Sequence, residues 1–170
     1  MKRILVVCYS RTGYTHKLAE AIARRCDADL ELIRDREDRL GLGGYLRSAA
    51  QAMLHRKPWI QPARRPVGEY SLVIIGTPVW AGNMASPVRS YLERYGDRCR
   101  RVALFCSYGG AGAHKVLADM QRLCGRPALA TLAVPQHQVA RGAANPAIDQ
   151  FVARFNRQRG DATAPARLAA

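Results

Sequence analysis

Three short segments of the sequence carry residue types that can hold a flat, phosphorylated ligand. The first combines hydroxyl side chains with a glycine, the second places a tryptophan among small residues, and the third is a run of glycines beside a tyrosine. Hydroxyls and free backbone N–H groups bind phosphate, whereas glycines let the backbone approach a planar ring closely. The segments are residues 10–15, 77–83 and 107–112.

The first segment follows an apolar run and precedes a helical pattern. Its three hydroxyls exceed what a single helix cap needs, because one Ser or Thr is enough for a cap. We therefore predict that the segment and the helix N-terminus together bind a phosphomonoester. Helix capping alone is the alternative. The predicted phosphate-binding residues are Ser10, Arg11, Thr12, Gly13, Tyr14 and Thr15.

The other two segments are predicted to hold a ring system. Trp80 is followed by small residues, so we expect it to be exposed and available for stacking; a tryptophan that closes the end of the sheet without a ligand is the alternative. Tyr108 offers a second aromatic face. The predicted ring-binding residues are Thr77, Pro78, Val79, Trp80, Ala81, Gly82 and Asn83 in the second segment, and Ser107, Tyr108, Gly109, Gly110 and Gly112 in the third.

Each of the three segments follows a fully apolar run, which is typical of strands buried on both faces of a parallel sheet. The runs are residues 4–8, 72–76 and 102–106, with weaker runs at 30–33 and 129–134. Between them apolar residues recur at helical spacing, and a further helix is expected over 41–54. This alternation predicts right-handed βαβ crossovers and a ligand outside the carboxyl ends of the strands. We expect one domain over 1–158 and a flexible tail at 159–170.

The spacing Ser10-x-Thr12-Gly13-x-Thr15, with Ala19 and Ile22 downstream, resembles the N-terminal signature of flavodoxins and flavodoxin-like proteins, which bind FMN. The resemblance covers residues 2–158. It implies an α/β fold, a three-layer α/β/α sandwich with a five-stranded parallel sheet in the order 2-1-3-4-5. It also implies non-covalent FMN, with the phosphate on the first segment and the ring between the other two. Cys8 stands where the family usually has an aromatic residue, which we interpret as a packing change.

The resemblance leaves two functions open. An electron-transfer protein with a redox partner protein is the preferred hypothesis, because the chain is short. An NAD(P)H-dependent oxidoreductase that reduces quinones or similar acceptors is the alternative, because Thr-Pro-x-x-x-Gly-Asn-Met at residues 77–84 also resembles quinone reductases of this superfamily. No catalytic side chain and no metal site is predicted. The five cysteines form no C-x-x-C pair, so we expect small buried hydrophobes rather than disulfides.

The charge of the chain is strongly positive. Lys and Arg number 27 against 13 Asp and Glu, which gives a formal net charge of +14, whereas electron-carrier flavodoxins are typically acidic. The basic stretch between Asp38 and Glu69 is expected to border the flavin, to receive an acidic partner, to hold the phosphates of NAD(P)H, or to be a solvated basic face. No nucleic-acid motif is present, so specific nucleic-acid binding is not expected. Apolar runs are too short for a signal peptide or a membrane span, which predicts a cytoplasmic protein.

Overall fold

A computed structural model describes residues 4–34 and 60–161, with side chains up to residue 158. The helix predicted over 41–54 and most of the basic stretch lie outside the described residues. The final helix continues to Asp161, three residues beyond the predicted end of the domain, and the remainder of the predicted tail also lies outside the described residues.

The strands form one parallel sheet with a short antiparallel addition. They are β1 (Ile4–Cys8), β2 (Asp29–Leu32), β3 (Leu72–Trp80), β4 (Asn83–Met84), β5 (Val102–Tyr108) and β6 (Thr131–Pro135). The parallel strands are ordered β2-β1-β3-β5-β6, and β4 pairs only with β3. With β4 set aside, this is the predicted order 2-1-3-4-5, so the fold prediction is confirmed.

Helices cover both faces of this sheet. They are α1 (Tyr14–Cys26), α2 (Ser86–Tyr95), α3 (Ala113–Cys124), α4 (Gln136–Ala140) and α5 (Asn145–Asp161), with 3₁₀ turns at Val67–Glu69 and Gly96–Arg98. Because side chains alternate across a strand, Leu5 and Val7 join the core beneath α2 and α3, whereas Val6 joins the core beneath α1 and α5. Among the described residues, no helix is long and apolar enough to cross a membrane.

The register brings the carboxyl ends of the central strands to one edge of the sheet. Cys8 of β1 pairs with Gly76 of β3, and Thr77 of β3 pairs with Cys106 of β5. The backbone N–H of Tyr9 also donates to the carbonyl of Gly76 at 3.3 Å. The loops that follow these strands therefore meet at one edge.

The edge strand β2 differs from a simple alternation of buried apolar and exposed polar residues. Glu31 is buried and Leu32 is 41% exposed. The Glu31 carboxylate accepts hydrogen bonds from the backbone N–H groups of Arg64 and Arg65 at 2.8 and 3.1 Å. A buried carboxylate requires such partners, so Glu31 ties the chain before β3 to the edge of the sheet.

Candidate functional site

The loop between β1 and α1 leaves polar groups without protein partners. Gly13 precedes α1 in the left-handed region, with φ of +88°, and no side chain caps the helix. The Ser10 Oγ is buried and has no hydrogen-bond partner. Helix starts leave N–H groups unsatisfied, and buried hydroxyls are normally bonded. A phosphate would satisfy both, so the residues present fit the predicted phosphate group, whereas side-chain capping of α1 is not what the structure shows.

Two predicted ligand hydroxyls contact each other instead. The Oγ1 of Thr15 and the Oγ of Ser107 are 2.8 Å apart, and both side chains are buried. This hydrogen bond joins the start of α1 to the end of β5 across 92 positions of sequence. Their contact with a cofactor stays a prediction. Their hydroxyls position the first loop against the third, while Thr12 is exposed and Arg11 and Tyr14 are half-buried.

The second predicted loop is largely strand. The apolar run at 72–76 predicts a strand that ends before the Thr-Pro pair at residues 77–78, but β3 runs through to Trp80, so the predicted end of the strand is wrong. Pairing with β5 continues as far as Pro78, and the hairpin to β4 extends β3 further. The Thr77 hydroxyl is buried, donates to the Pro78 carbonyl at 2.9 Å and accepts from the Ala85 N–H at 3.0 Å. Thr77 therefore holds the hairpin from inside.

Trp80 is also buried, with 9% of its surface exposed, so the expectation of an exposed tryptophan is wrong. Its ring meets the Tyr9 ring edge to face, with the centroids 5.6 Å apart. Such pairs stabilise by about 0.5–1.5 kcal/mol beyond the buried area. The pair belongs to the core that also holds the buried faces of α2 and α3.

The turn between β3 and β4 consists of Ala81 and Gly82, both with positive φ, +47° and +71°. Two positive values in a two-residue hairpin are characteristic of a type I′ turn, whose twist matches that of the strands. The Asn83 amide donates to the Ala81 carbonyl at 2.9 Å. This turn approaches the third loop.

Gly112 makes the approach of the second and third loops possible. Its φ is +97°, and a Cβ built there would lie 2.7 Å from the Gly82 Cα. The Nζ of Lys115 donates to the Asn83 Oδ1 at 2.8 Å and joins the same loops on the outside. Lys115 was not among the predicted site residues, because nothing in its own sequence neighbourhood places it against residue 83.

The third loop keeps an accessible glycine surface. Gly109 and Gly110 are exposed, and Tyr108 is half-buried. A Cβ at Gly110 would meet nothing within 4 Å, and one at Gly109 would meet only Gln136 of α4. Exposed backbone beside an aromatic side chain suits a flat ligand.

Burial disfavours ionisation of the two thiols nearest this edge. Burial raises the pKa of the Cys8 thiol to about 12, and the charge of Glu20 raises it further. Burial alone raises the pKa of Cys106 to about 12. Because the thiolate is the nucleophile, neither cysteine is activated for chemistry at neutral pH. All five cysteines are free, and the described residues contain no group of three or more potential metal ligands.

Comparison with known proteins identifies the family. The profile of the family described as NADPH-dependent FMN reductase matches residues 1–146. The chain belongs to this family. The family membership confirms the predicted resemblance to flavodoxin-like FMN-binding proteins and supports FMN as the cofactor of this chain.

Curated relatives and a solved structure agree with that assignment. An NAD(P)H dehydrogenase (quinone) of Trichlorobacter lovleyi is 32% identical over 102 residues, which covers 56% of this chain and 49% of the relative. One from Chromohalobacter salexigens is 30% identical over 121 residues, which covers 65% of this chain and 56% of the relative. A crystal structure of a Lactobacillus acidophilus flavoprotein in complex with FMN has 25% sequence identity and a TM-score of 0.68. The match covers 83% of this chain and 98% of the flavoprotein. The matches span about half the length of the curated relatives.

Proposed function

We propose that this protein binds FMN at the carboxyl edge of its sheet and catalyses NAD(P)H-dependent reduction of a quinone or a similar small acceptor. The observation that carries the proposal is the unpartnered Ser10 hydroxyl beside the uncapped start of α1, where a phosphate fits. Membership of the FMN reductase family and the likeness to quinone dehydrogenases favour the oxidoreductase over the electron carrier that we preferred from the sequence.

Different residues would bind the phosphate and the ring of FMN. Ser10 and the first N–H groups of α1 would hold the FMN phosphate, and the exposed backbone at Gly109 and Gly110 would lie along the ring. FMN, when bound, supplies a ring that takes up a hydride and passes two electrons on. The protein supplies position and electrostatics, with the Tyr9–Trp80 pair packed in the core at the ends of β1 and β3.

The overall reaction balances without a further co-reactant. NAD(P)H gives up a hydride and becomes NAD(P)⁺, and a quinone gains two electrons and two protons and becomes a hydroquinone. One proton arrives with the hydride and the other comes from water. We propose small molecules as both substrates and the cytoplasm, where NAD(P)H is available, as the location. An acidic protein partner for the basic stretch stays a prediction.

The test compares FMN with riboflavin, which lacks the phosphate. We expect Ser10→Ala to raise the Kd for FMN by a factor of roughly 10 to 100, because a hydrogen bond to a charged group contributes about 1.5–3 kcal/mol. The Kd for riboflavin, measured by the same flavin fluorescence titration, should stay unchanged. An equal loss for both flavins would remove Ser10 from the phosphate site.

Activity is tested on the FMN-loaded protein under anaerobic conditions. NADPH or NADH should bleach the flavin absorption band, and a quinone added afterwards should restore it. A band that stays unchanged with either nucleotide would refute the oxidoreductase and favour a carrier that needs a protein donor.

A further inference from the structure

The loops around the candidate site carry no carboxylate. Residues 9–19, 76–92, 107–118 and 133–140, all within the described part of the chain, contain neither Asp nor Glu. The same segments contain four Lys and Arg residues: Arg11, Lys17, Arg89 and Lys115.

The three helices that start at this edge show the same bias. None of them has an acidic residue in its first turn. Negative side chains are favoured near the start of a helix, and cations are disfavoured there. Here Lys17, Arg89 and Lys115 each lie within the first four residues of α1, α2 and α3. Helix dipoles and side-chain charges therefore add to a positive potential at this edge.

Two of these cations belong to the helices that directly follow the two predicted ring-binding segments, and not to the predicted phosphate loop. Lys115 is held beside the β3–β4 turn by its hydrogen bond to Asn83, and its side chain is 58% exposed. It also pairs with Asp119 at 3.1 Å, but the other oxygen of Asp119 is bound by Arg122. The three residues keep a net charge of +1.

Arg89 is the second of these cations. It lies in the first turn of α2, which begins two residues after β4, and its side chain is half-buried. The predicted FMN phosphate belongs to the loop before α1, a helix that packs on the opposite face of the sheet from α2 and α3. The charges of Arg89 and Lys115 are therefore not needed to hold that phosphate, and they belong to the two helices that follow the predicted ring-binding segments.

We infer that Lys115 and Arg89 select an anionic electron acceptor, such as a quinone that carries a carboxylate or sulfonate. This inference rests on the proposed function. The acceptor carbonyls gain two electrons and two protons as described above, while the anionic substituent stays chemically unchanged beside Lys115. A positive edge also raises the rate of encounter with an anion, and charge steering of this kind disappears at high salt.

The kinetic test uses the FMN-loaded protein, first reduced with dithionite and then mixed in a stopped-flow instrument with 1,4-naphthoquinone-2-sulfonate or its neutral parent. Lys115→Gln keeps a donor for Asn83 and removes the charge. We expect it, and Arg89→Gln, each to lower the reoxidation rate constant roughly threefold for the sulfonate at low salt. The neutral quinone should be unaffected. Arg100→Gln removes an exposed charge at the opposite edge of the sheet and should affect neither acceptor.

A binding measurement without electron transfer accompanies the kinetics. Isothermal titration with 2-naphthalenesulfonate and with the neutral 2-naphthalenesulfonamide should show weaker binding of the sulfonate alone in Lys115→Gln. Equal losses for charged and neutral probes, or the same loss in Arg100→Gln, would overturn the inference. Reduction by NADPH is measured separately: if the nucleotide fails to reduce the flavin while the sulfonate preference persists, the proposed function fails and the anion selectivity stands.

Discussion

Replacing Gly112 with alanine is expected to force apart the two loops that are predicted to hold the ring. The new methyl group would lie 2.7 Å from the Gly82 Cα and 3.2 Å from the Gly82 carbonyl oxygen. Both neighbours are backbone, so no side chain can rotate away. The substitution thus combines strain at φ of +97° with displacement of the β3–β4 turn.

Two control variants separate these contributions. Gly125 ends α3 with φ of +65° and has open space around it, whereas Gly110 has open space and no positive φ. We expect Gly125→Ala to cost about 1–2 kcal/mol from the left-handed conformation alone. Gly110→Ala should stay within about 0.5 kcal/mol. Gly112→Ala should lower the free energy of unfolding by that same strain and by roughly 1–3 kcal/mol more, the usual cost of overpacking.

Urea denaturation of each variant measures the free energy of unfolding, and fluorescence titration measures the Kd for FMN. Gly112→Ala should weaken FMN binding more than Gly125→Ala does, because only the former moves a loop of the site. If Gly112→Ala and Gly125→Ala lose the same stability and the same affinity, the close approach of Gly112 to Gly82 does not shape the site and the reasoning fails.

Three further predictions concern the core. Gly76→Ala would place a Cβ 2.0 Å from the Phe105 ring, so we expect a loss of about 3 kcal/mol in urea denaturation; a loss below about 1 kcal/mol would contradict this packing. Thr15→Val and Ser107→Ala, combined in a double-mutant cycle, should show a coupling free energy of about 1 kcal/mol, and additive effects would argue against their hydrogen bond. Four buried thiols have a pKa raised to about 11 or 12, so stability is full below about pH 9, where unfolded thiols are protonated, and should fall as the pH rises toward 12. Each thiol contributes a slope of about 1.4 kcal/mol per pH unit to the free energy of unfolding, which urea denaturation measures. A free energy of unfolding that does not change between pH 8 and 11 would refute this. The four are Cys8, Cys99, Cys106 and Cys124.

The sequence by itself determined the parallel strands of the sheet and predicted the edge at which the candidate site lies. Buried parallel strands need apolar residues on both faces. The runs at 4–8, 72–76 and 102–106 therefore identified three strands without any knowledge of tertiary contacts. Helical periodicity identified the buried face of α2, where Val88, Tyr91, Leu92 and Tyr95 are all buried. Once strands and helices alternate, the handedness of crossovers fixes one edge for the ligand.

Only the tertiary structure decided which partners the candidate site residues have within the protein. Thr15 and Ser107 look like ligands in the sequence, yet they bond each other across 92 positions. Trp80 looks exposed among small residues, yet it is buried against Tyr9. Local sequence cannot encode such partners, because burial and hydrogen bonding of these side chains depend on residues that are distant in the chain and meet only when the sheet has formed.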